Sequence, residues 1–495
     1  MSTHFQLRLA RILTLSLVVV ALFFMSAHAA LAQTEDKSKT NPEVQQLKDR
    51  LLQLEQTVQQ LKAQIDSAEE AQKKTGTASG EKISAPASTS ATTIKPVATS
   101  PTTSTPQDDT AKGESTFDVY GFVMLDAGYQ FKQADPNWFD TVRPVKLPAF
   151  RDQFLPNGNT YFSVRQTRFG VKSSTPTKYG PLLTKFEFEL FGTGVDAGQT
   201  TFRLRHAYGE LGHFGAGQNW STFVDPDVFP NTNEYWGPNG IAWFRNVQFR
   251  WMPLKGRNSV TIALERPGAS ADLGVAAERI QLQGVRPRFP LPDLTGNVRF
   301  ERSWGHFQAA GIVRHMKWID TVNDNVDLSG SATGAGIGLT SVLKITPKNT
   351  GKFSFVYGHG IENYFNDAPV DVGVKRTQAN PAVPIKGVAL PVTGVMAYID
   401  HTWNKHFASS IGYSMVNISN SNGQTDDAFH RGHYGSGNIL YYPTDNVMIG
   451  SELIWGRREN FRDGFSSEDV HLQFSFKYNF AKGSDFKDRD WLRSA

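Results

Sequence analysis

The sequence predicts an all-β protein: a transmembrane antiparallel β-barrel of about sixteen strands, preceded by a short N-terminal coiled-coil helix and a disordered linker. Three observations lead there. The chain opens with an export signal, its residues 116–480 alternate apolar and polar side chains in short segments, and the polar faces of those segments carry charges of both signs. The stretch VHLQFSFKYNF shows the pattern at its clearest. Val470, Leu472, Phe474, Phe476, Tyr478 and Phe480 fall on one face, and His471, Gln473, Ser475, Lys477 and Asn479 on the other. Such a strand packs one face on a core in a soluble sheet, or turns it to lipid in a membrane barrel whose other face meets water.

Residues 1–32 read as a signal peptide. Arg8 and Arg11 precede an apolar run from Ile12 to Met25, which leads into Ala27-His28-Ala29 and Ala30-Leu31-Ala32. The run is shorter than the roughly 20 residues a spanning helix needs, and cleavage after Ala32 is expected. No later stretch reaches about 18 consecutive apolar residues, so a barrel is the remaining way for the mature chain to span a membrane. Cysteine is absent, which excludes disulfides and thiolate chemistry. A formal net charge of +4 gives no reason to expect a nucleic-acid partner.

Residues 41–70 form the predicted periplasmic coiled coil. Val44, Leu47, Leu51, Leu54, Val58, Leu61 and Ile65 recur at alternating spacings of three and four, and Asn41 with Pro42 supplies an N-terminal cap. So narrow a seam calls for copies of itself; the alternatives are a lone amphipathic helix or a peptidoglycan-side spacer. Residues 71–115, with ASTSATTIKPVATSPTTSTP, hold almost no large apolar side chain and read as a disordered Thr/Ser/Pro/Ala-rich linker.

Residues 116–480 are the predicted barrel. In LLTKFEFELFG, Thr184, Phe186, Phe188 and Leu190 share a face opposite Lys185, Glu187 and Glu189, and in GKFSFVYGHG Phe353, Phe355 and Tyr357 share one. Turns are expected at Ser303–His306, Pro347–Thr350, Trp403–His406 and Pro443–Asn446. Faces that hold glutamate, lysine and arginine together cannot line a dry core without a cost of several kcal/mol per unpaired charge. They can line water. A soluble sandwich with its charged faces outward is the competing architecture. Residues 481–495 form a polar extension beyond Phe480.

Parity places Arg168, Lys185, Arg203, Arg205, Arg250, Arg299, Arg314, Arg458 and Lys477 in the lumen, against Glu187, Glu189, Glu265, Glu301 and Glu452. The excess is positive, and guanidinium groups match carboxylates bidentately, so small organic anions are the expected solutes. The competing reading has each arginine paired with a glutamate and serving only the wall. Around Arg165 and Arg245 the parity slips, and neither receives a face. The longest marked connection, Asn219 to Gly240, is too rich in Trp, Tyr and Phe to be disordered. It is expected to fold inward as a constriction loop, with Asp225, Asp227, Asn231, Glu234, Tyr235 and Trp236 opposite the arginines, or else to pack on a neighbouring subunit.

The remaining chemistry is sparse. No HExxH, GxSxG or phosphate-binding glycine loop occurs, and Asn323–Asp327 lacks the glycine and glutamate of a calcium loop. Neither an enzyme, a cofactor nor a metal site is expected.

The stretches YGFVMLDAGYQFKQ, RQTRFGVKSSTPTKYGPLLTKFEFELFG, DAGQTTFRLRHAYGELG, FVDPDVFPNTNEYWGPNG and SELIWGRREN together resemble the DcaP-like outer-membrane porins of Gram-negative bacteria. That resemblance implies a trimeric sixteen-stranded porin with a periplasmic coiled coil and a preference for dicarboxylic acids. Arg203, Arg205 and the loop are the positions it favours for solute binding. It also implies outer-membrane lipid, lipopolysaccharide and, through the N-terminal region, peptidoglycan as surroundings. The fifteen residues after Phe480 depart from the common plan, in which a barrel ends on an aromatic residue that the assembly machinery recognises. A weakly selective general porin and an envelope-tethering protein with the barrel as its anchor are the alternatives.

Overall fold

The computed structural model describes residues 114–193, 201–275, 282–322, 324–377 and 383–480. The expected signal peptide, coiled coil, C-terminal extension and all but the end of the linker lie outside them. The strands are β1 (Thr116–Gln130), β2 (Asn159–Ser163), β3 (Arg168–Thr177), β4 (Gly180–Glu189), β5 (Arg203–Leu211), β6 (Phe214–Trp220) and β7 (Arg245–Leu254). Then come β8 (Asn258–Glu265), β9 (Val285–Arg288), β10 (Asp293–Arg302), β11 (Gly305–Asp320), β12 (Gly330–Thr346) and β13 (Asn349–His359). The remainder are β14 (Val372–Arg376), β15 (Ile385–Ala389), β16 (Pro391–Asn404), β17 (Phe407–Ile418), β18 (Phe429–Thr444), β19 (Val447–Asn460) and β20 (Ser466–Asn479).

These strands build a closed antiparallel barrel of 16 staves. Two staves are interrupted. β2 and β3 both pair with β1, at Asp126–Gln130 and Thr116–Phe122 respectively, so together they form one stave broken at Val164–Thr167. β9 and β10 likewise share β11 as a neighbour. β14 and β15 form a separate two-stranded hairpin in the connection between β13 and β16. The barrel closes where β20 pairs with β1, Phe122 opposite Asn479 and Gln130 opposite His471.

Strand length departs from the expected 9–11 residues: β11 and β12 run to 16 and 17 residues. The four turns fall where predicted, each reduced to the short link between consecutive strands, as at β10–β11 and β18–β19. Short turns collect at the end that holds Thr116 and Asn479, and the long connections at the other.

Alternation is kept along most of the strands and breaks at bulges, one of which leaves the adjacent Arg205 and His206 of β5 both buried. In the closing strand Phe474, Phe476 and Tyr478 are 48%, 50% and 55% exposed, whereas Gln473 and Ser475 are at 0%. The outward face is the apolar belt a bilayer requires. The inward face differs from expectation, because His471, Gln473 and Ser475 do not meet open water. Asp126 of β1 accepts hydrogen bonds from Gln473 (3.0 Å), Ser475 (2.6 Å) and Gln166 (2.9 Å), and Gln130 donates to Asp469 at 2.8 Å. The reason is that inserted connections fold into the barrel and cover this part of the wall, where most of the buried polar atoms find partners.

Candidate functional site: a pore narrowed by an inserted loop

The connection between β6 and β7 lies inside the barrel. Pro226, Pro230 and Pro238 deny it a regular ladder, and Asp225 caps a single 3-10 turn at Pro226–Val228 by accepting from the Asp227 N–H at 3.2 Å. Phe223, Val224, Val228 and Ile241 are buried. Two glycines let the backbone approach its surroundings. Gly237 adopts φ +72°, with the Phe229 ring where a Cβ would sit, and a Cβ on Gly240 would lie 2.1 Å from the Met415 carbonyl oxygen of β17.

The loop is pinned to staves all round the lumen. The Asn231 N–H donates to Asp400 of β16 (3.2 Å) and its side chain to Tyr442 of β18 (3.4 Å). Glu452 of β19 accepts from the Asn233 and Glu234 N–H groups at 2.5 and 3.0 Å. Gln166 donates to the Asn233 carbonyl at 2.8 Å, and Gly240 donates to Ser414 at 2.8 Å. Trp236 donates to the Asn366 carbonyl at 3.0 Å, tying the loop to the connection that carries β14 and β15.

On the β3–β5 side, basic groups crowd two carboxylates. Arg205 pairs with Glu187 at 2.5 Å and Glu189 at 2.7 Å, Arg168 approaches the same two at 3.8 and 3.5 Å, Lys185 reaches Glu187 at 3.6 Å, and Arg203 reaches Glu189 at 3.6 Å. Tyr235 of the loop donates to Glu189 and receives a bond from Arg205 at 3.2 Å. Arg245 and Arg205 both approach the Trp220 ring, at 4.5 and 6.0 Å from its centre. With every pair counted, basic groups still outnumber acids here.

Across the loop, on β10–β12, the balance reverses. Arg299 contacts Asp225 (3.2 Å), Asp227 (2.5 Å) and Glu301 (3.9 Å). His306 and Thr340 each meet Asp225 at 2.7 Å. Burial opposes ionisation of Asp225, but His306 and Arg299 outweigh it and hold the carboxyl below its ordinary range. Asp225, Asp227 and His306 bring ligand-type atoms within 4.8 Å of one another, and Arg299 already supplies the positive charge between the two aspartates.

The other expected lumen residues take different positions. Arg250 bonds to Gln248 (2.8 Å) and to the Trp220 carbonyl (2.7 Å). Arg314 is sealed between Asp293 (2.9 Å) and Asp371 (3.1 Å), and Arg458 bonds to the Val145 and Asp427 carbonyls. Among the described residues, Arg245, Arg250 and Arg458 make no ion pair. Glu234, expected to face the arginines, points the other way: it accepts from Tyr434 (3.1 Å), Val142 N–H (3.3 Å) and Gly237 N–H. Two arginines with their partners carried no local signal. Arg165 pairs with Asp140 at 2.6 Å, Arg143 pairs with Asp367 at 2.9 Å, and the Arg143 guanidinium lies between Trp138 (4.1 Å) and Trp236 (3.9 Å). Only contacts between distant loops make these residues visible.

A cavity of about 340 Å³ lies between the loop and the wall on the short-turn side, bounded by Arg168, Arg205 and Lys477 together with Asp227, Glu234 and Tyr235. A smaller one of about 110 Å³ adjoins Arg250, Arg299 and Asn297.

A closed antiparallel barrel with a lipid-facing belt, a charged interior and a loop narrowing the lumen is an outer-membrane channel. The family model described as DcaP outer membrane protein matches residues 25–480, and the chain belongs to that family. Among solved structures, the outer-membrane channel DcaP of Acinetobacter baumannii superposes with a TM-score of 0.62 at 19% identity, covering 75% of this chain and 99% of that one. The anion-selective porin from Comamonas acidovorans gives 0.47 at 10% identity, covering 74% and 100%, and the loop-deleted OmpT of Vibrio cholerae gives 0.46 at 13%, covering 74% and 99%. No curated protein sequence matches the chain.

Proposed function

We propose that the protein is a passive diffusion channel that prefers small anions, dicarboxylic acids above all. The surplus of basic over acidic groups on the β3–β5 wall, beside the inserted loop, carries this reading. A permeating dianion exchanges part of its hydration for guanidinium contacts there, and the part-exposed Arg203, with Arg205 behind it, offers a fork that suits a planar carboxylate. Asp225, Asp227 and Glu301 on the facing side set a transverse field that orients a solute carrying more than one polar group. The channel does no covalent chemistry.

The test is block of chloride current by succinate in planar bilayers, repeated with Arg203 and Arg205 changed to glutamine. Weakened block supports the site. Unchanged block refutes it and favours the weakly selective general porin. The working unit is a homotrimer in outer-membrane lipid and lipopolysaccharide, with the predicted coiled coil on the periplasmic side, where it can reach peptidoglycan. Cross-linking of a chain lacking residues 33–115 should still give trimers. Monomers would make the helix the determinant of assembly.

A further inference from the structure

Lumen-facing positions of a water-filled barrel are normally polar. Here several inward apolar positions, such as Ile312, Val356 and Ile454, cluster with side chains of the inserted connection, and one further cluster has no member from it. Phe122 and Met124 of β1, Leu440 of β18 and Met448 of β19 all point inward and form one apolar cluster, with Ala408 and Tyr442 packed against it. Their sequence neighbours Val123 and Ile439 are both 53% exposed on the outer face, so the inward direction of the four is set by strand parity. The inserted loop does not explain the patch. Phe229 of the loop borders the same cavity but packs on Trp243 at 4.7 Å and joins a different cluster, and the loop otherwise presents Asn231, Thr232 and Asn233 to the cavity beside Pro230, Asp227 and Tyr235.

Cations border this apolar surface. Lys477 Nζ stands 4.0 Å from the centre of the Phe122 ring and the Arg168 guanidinium 5.1 Å from it. Arg205 lines the same cavity of about 340 Å³, which lies near the lower end of the usual range of about 300–1,000 Å³ for small-molecule sites. Cavity walls that combine guanidinium and ammonium groups with Phe, Met and Leu match a molecule with the same two parts.

We propose that this cavity is a subsite for a monocarboxylate that bears a compact apolar group, its carboxylate toward Arg168, Arg205 and Lys477 and its apolar end against Phe122, Met124, Leu440 and Met448. The inference rests on the anion-preferring reading above and adds a second selectivity to it, by apolar area. Acetate and succinate have almost no such area to bury. A straight-chain acid of several more carbons gains with each methylene that leaves water.

The experiment uses the full-length channel in planar bilayers, with chloride current carried from KCl and block measured for acetate, butyrate, hexanoate and benzoate. Half-blocking concentration should fall along the series, with hexanoate at least about ten-fold below acetate, since four methylenes fully removed from water would give about two-hundred-fold. Equal block across the series overturns the proposal while leaving anion preference intact. A cation-selective reversal potential fails the underlying reading instead. Met124→Gln combined with Met448→Gln should flatten the series, and a gradient that survives the double substitution places the apolar contact elsewhere and also overturns the proposal. Where the double variant does not insert, Leu440→Asn alone is measured in the same way, with the same two outcomes.

Discussion

The two sides of the narrowed lumen use the same residue types in opposite proportion. On β3–β5, Arg168, Lys185, Arg203 and Arg205 surround Glu187 and Glu189; on β10–β12 and the loop, Arg299 is surrounded by Asp225, Asp227 and Glu301. On each side the minority charge serves as the scaffold. The glutamates hold the cations in register on the one, and the arginine fastens the loop on the other. On the proposed reading, the part-exposed members of each majority, Arg168 and Arg203 on one side and Asp227 and Glu301 on the other, are what a permeating ion meets. Counting salt bridges gives six Arg or Lys pairs on the first wall and three around Arg299 on the second; counting what remains after pairing gives the two walls opposite sign.

The largest expected effect comes from removing the cation that pairs with both glutamates. Arg205→Ala leaves two buried carboxylates short of their closest partner, a change that costs about 3–5 kcal/mol. It should lower the temperature at which the barrel unfolds in detergent and shift the reversal potential toward cations; retained stability would mean that Arg168 and Arg203 take over the pairing. Arg299→Gln on the other wall frees Asp225 and Asp227 and should loosen the loop, seen as larger and noisier single-channel conductance, again with a shift toward cations. Asp227→Asn is the smaller counterpart, expected to raise the anion-to-cation permeability ratio about two-fold, since one half-screened charge in a wet pore contributes on the order of 1 kcal/mol or less. Arg458→Gln, away from both walls, should leave selectivity where it was and lower stability alone.

The loop's seating has a pH dependence of definite sign. Burial, reinforced by the charge of Glu452, pushes Glu234 up to about 8 from an ordinary 4.5, with Tyr434 and the Gly237 and Val142 N–H groups as its partners. A carboxyl raised on docking favours the docked loop below about pH 4.5, and that contribution is lost as pH rises through about 8. Open-channel noise should therefore grow between pH 5 and pH 9, and Glu234→Gln should remove the change. Noise that rises toward acid would reverse the assignment.

Much of the fold was legible because strand parity is local. The alternation in VHLQFSFKYNF and LLTKFEFELFG assigned Phe474, Phe476 and Phe186 to the outer face and Gln473, Lys185 and Glu187 to the inner one, and the structure agrees. The loop was legible as a loop from its prolines and aromatics. Its partners were not, because Glu452, Asp400, Lys352 and Glu189 lie far away in sequence and meet it only when the barrel closes. For the same reason Glu234 could not be told from a lumen-facing acid, nor Arg314 from an accessible arginine. Parity says which way a side chain points, not what fills the space in front of it. The inward apolar quartet is the converse case: Phe122 and Met124 were plain in YGFVML, but their meeting with Leu440 and Met448 needs β1, β18 and β19 at the same level.

The central claim is that the charge left over on the β3–β5 wall governs the pore. Its most direct test is the zero-current potential of the purified wild-type channel in a planar bilayer under a ten-fold KCl gradient. The account predicts a potential whose sign reports chloride as the more permeant ion, reduced in the Arg203→Gln, Arg205→Gln double variant. A potential whose sign reports potassium as the more permeant ion would contradict it.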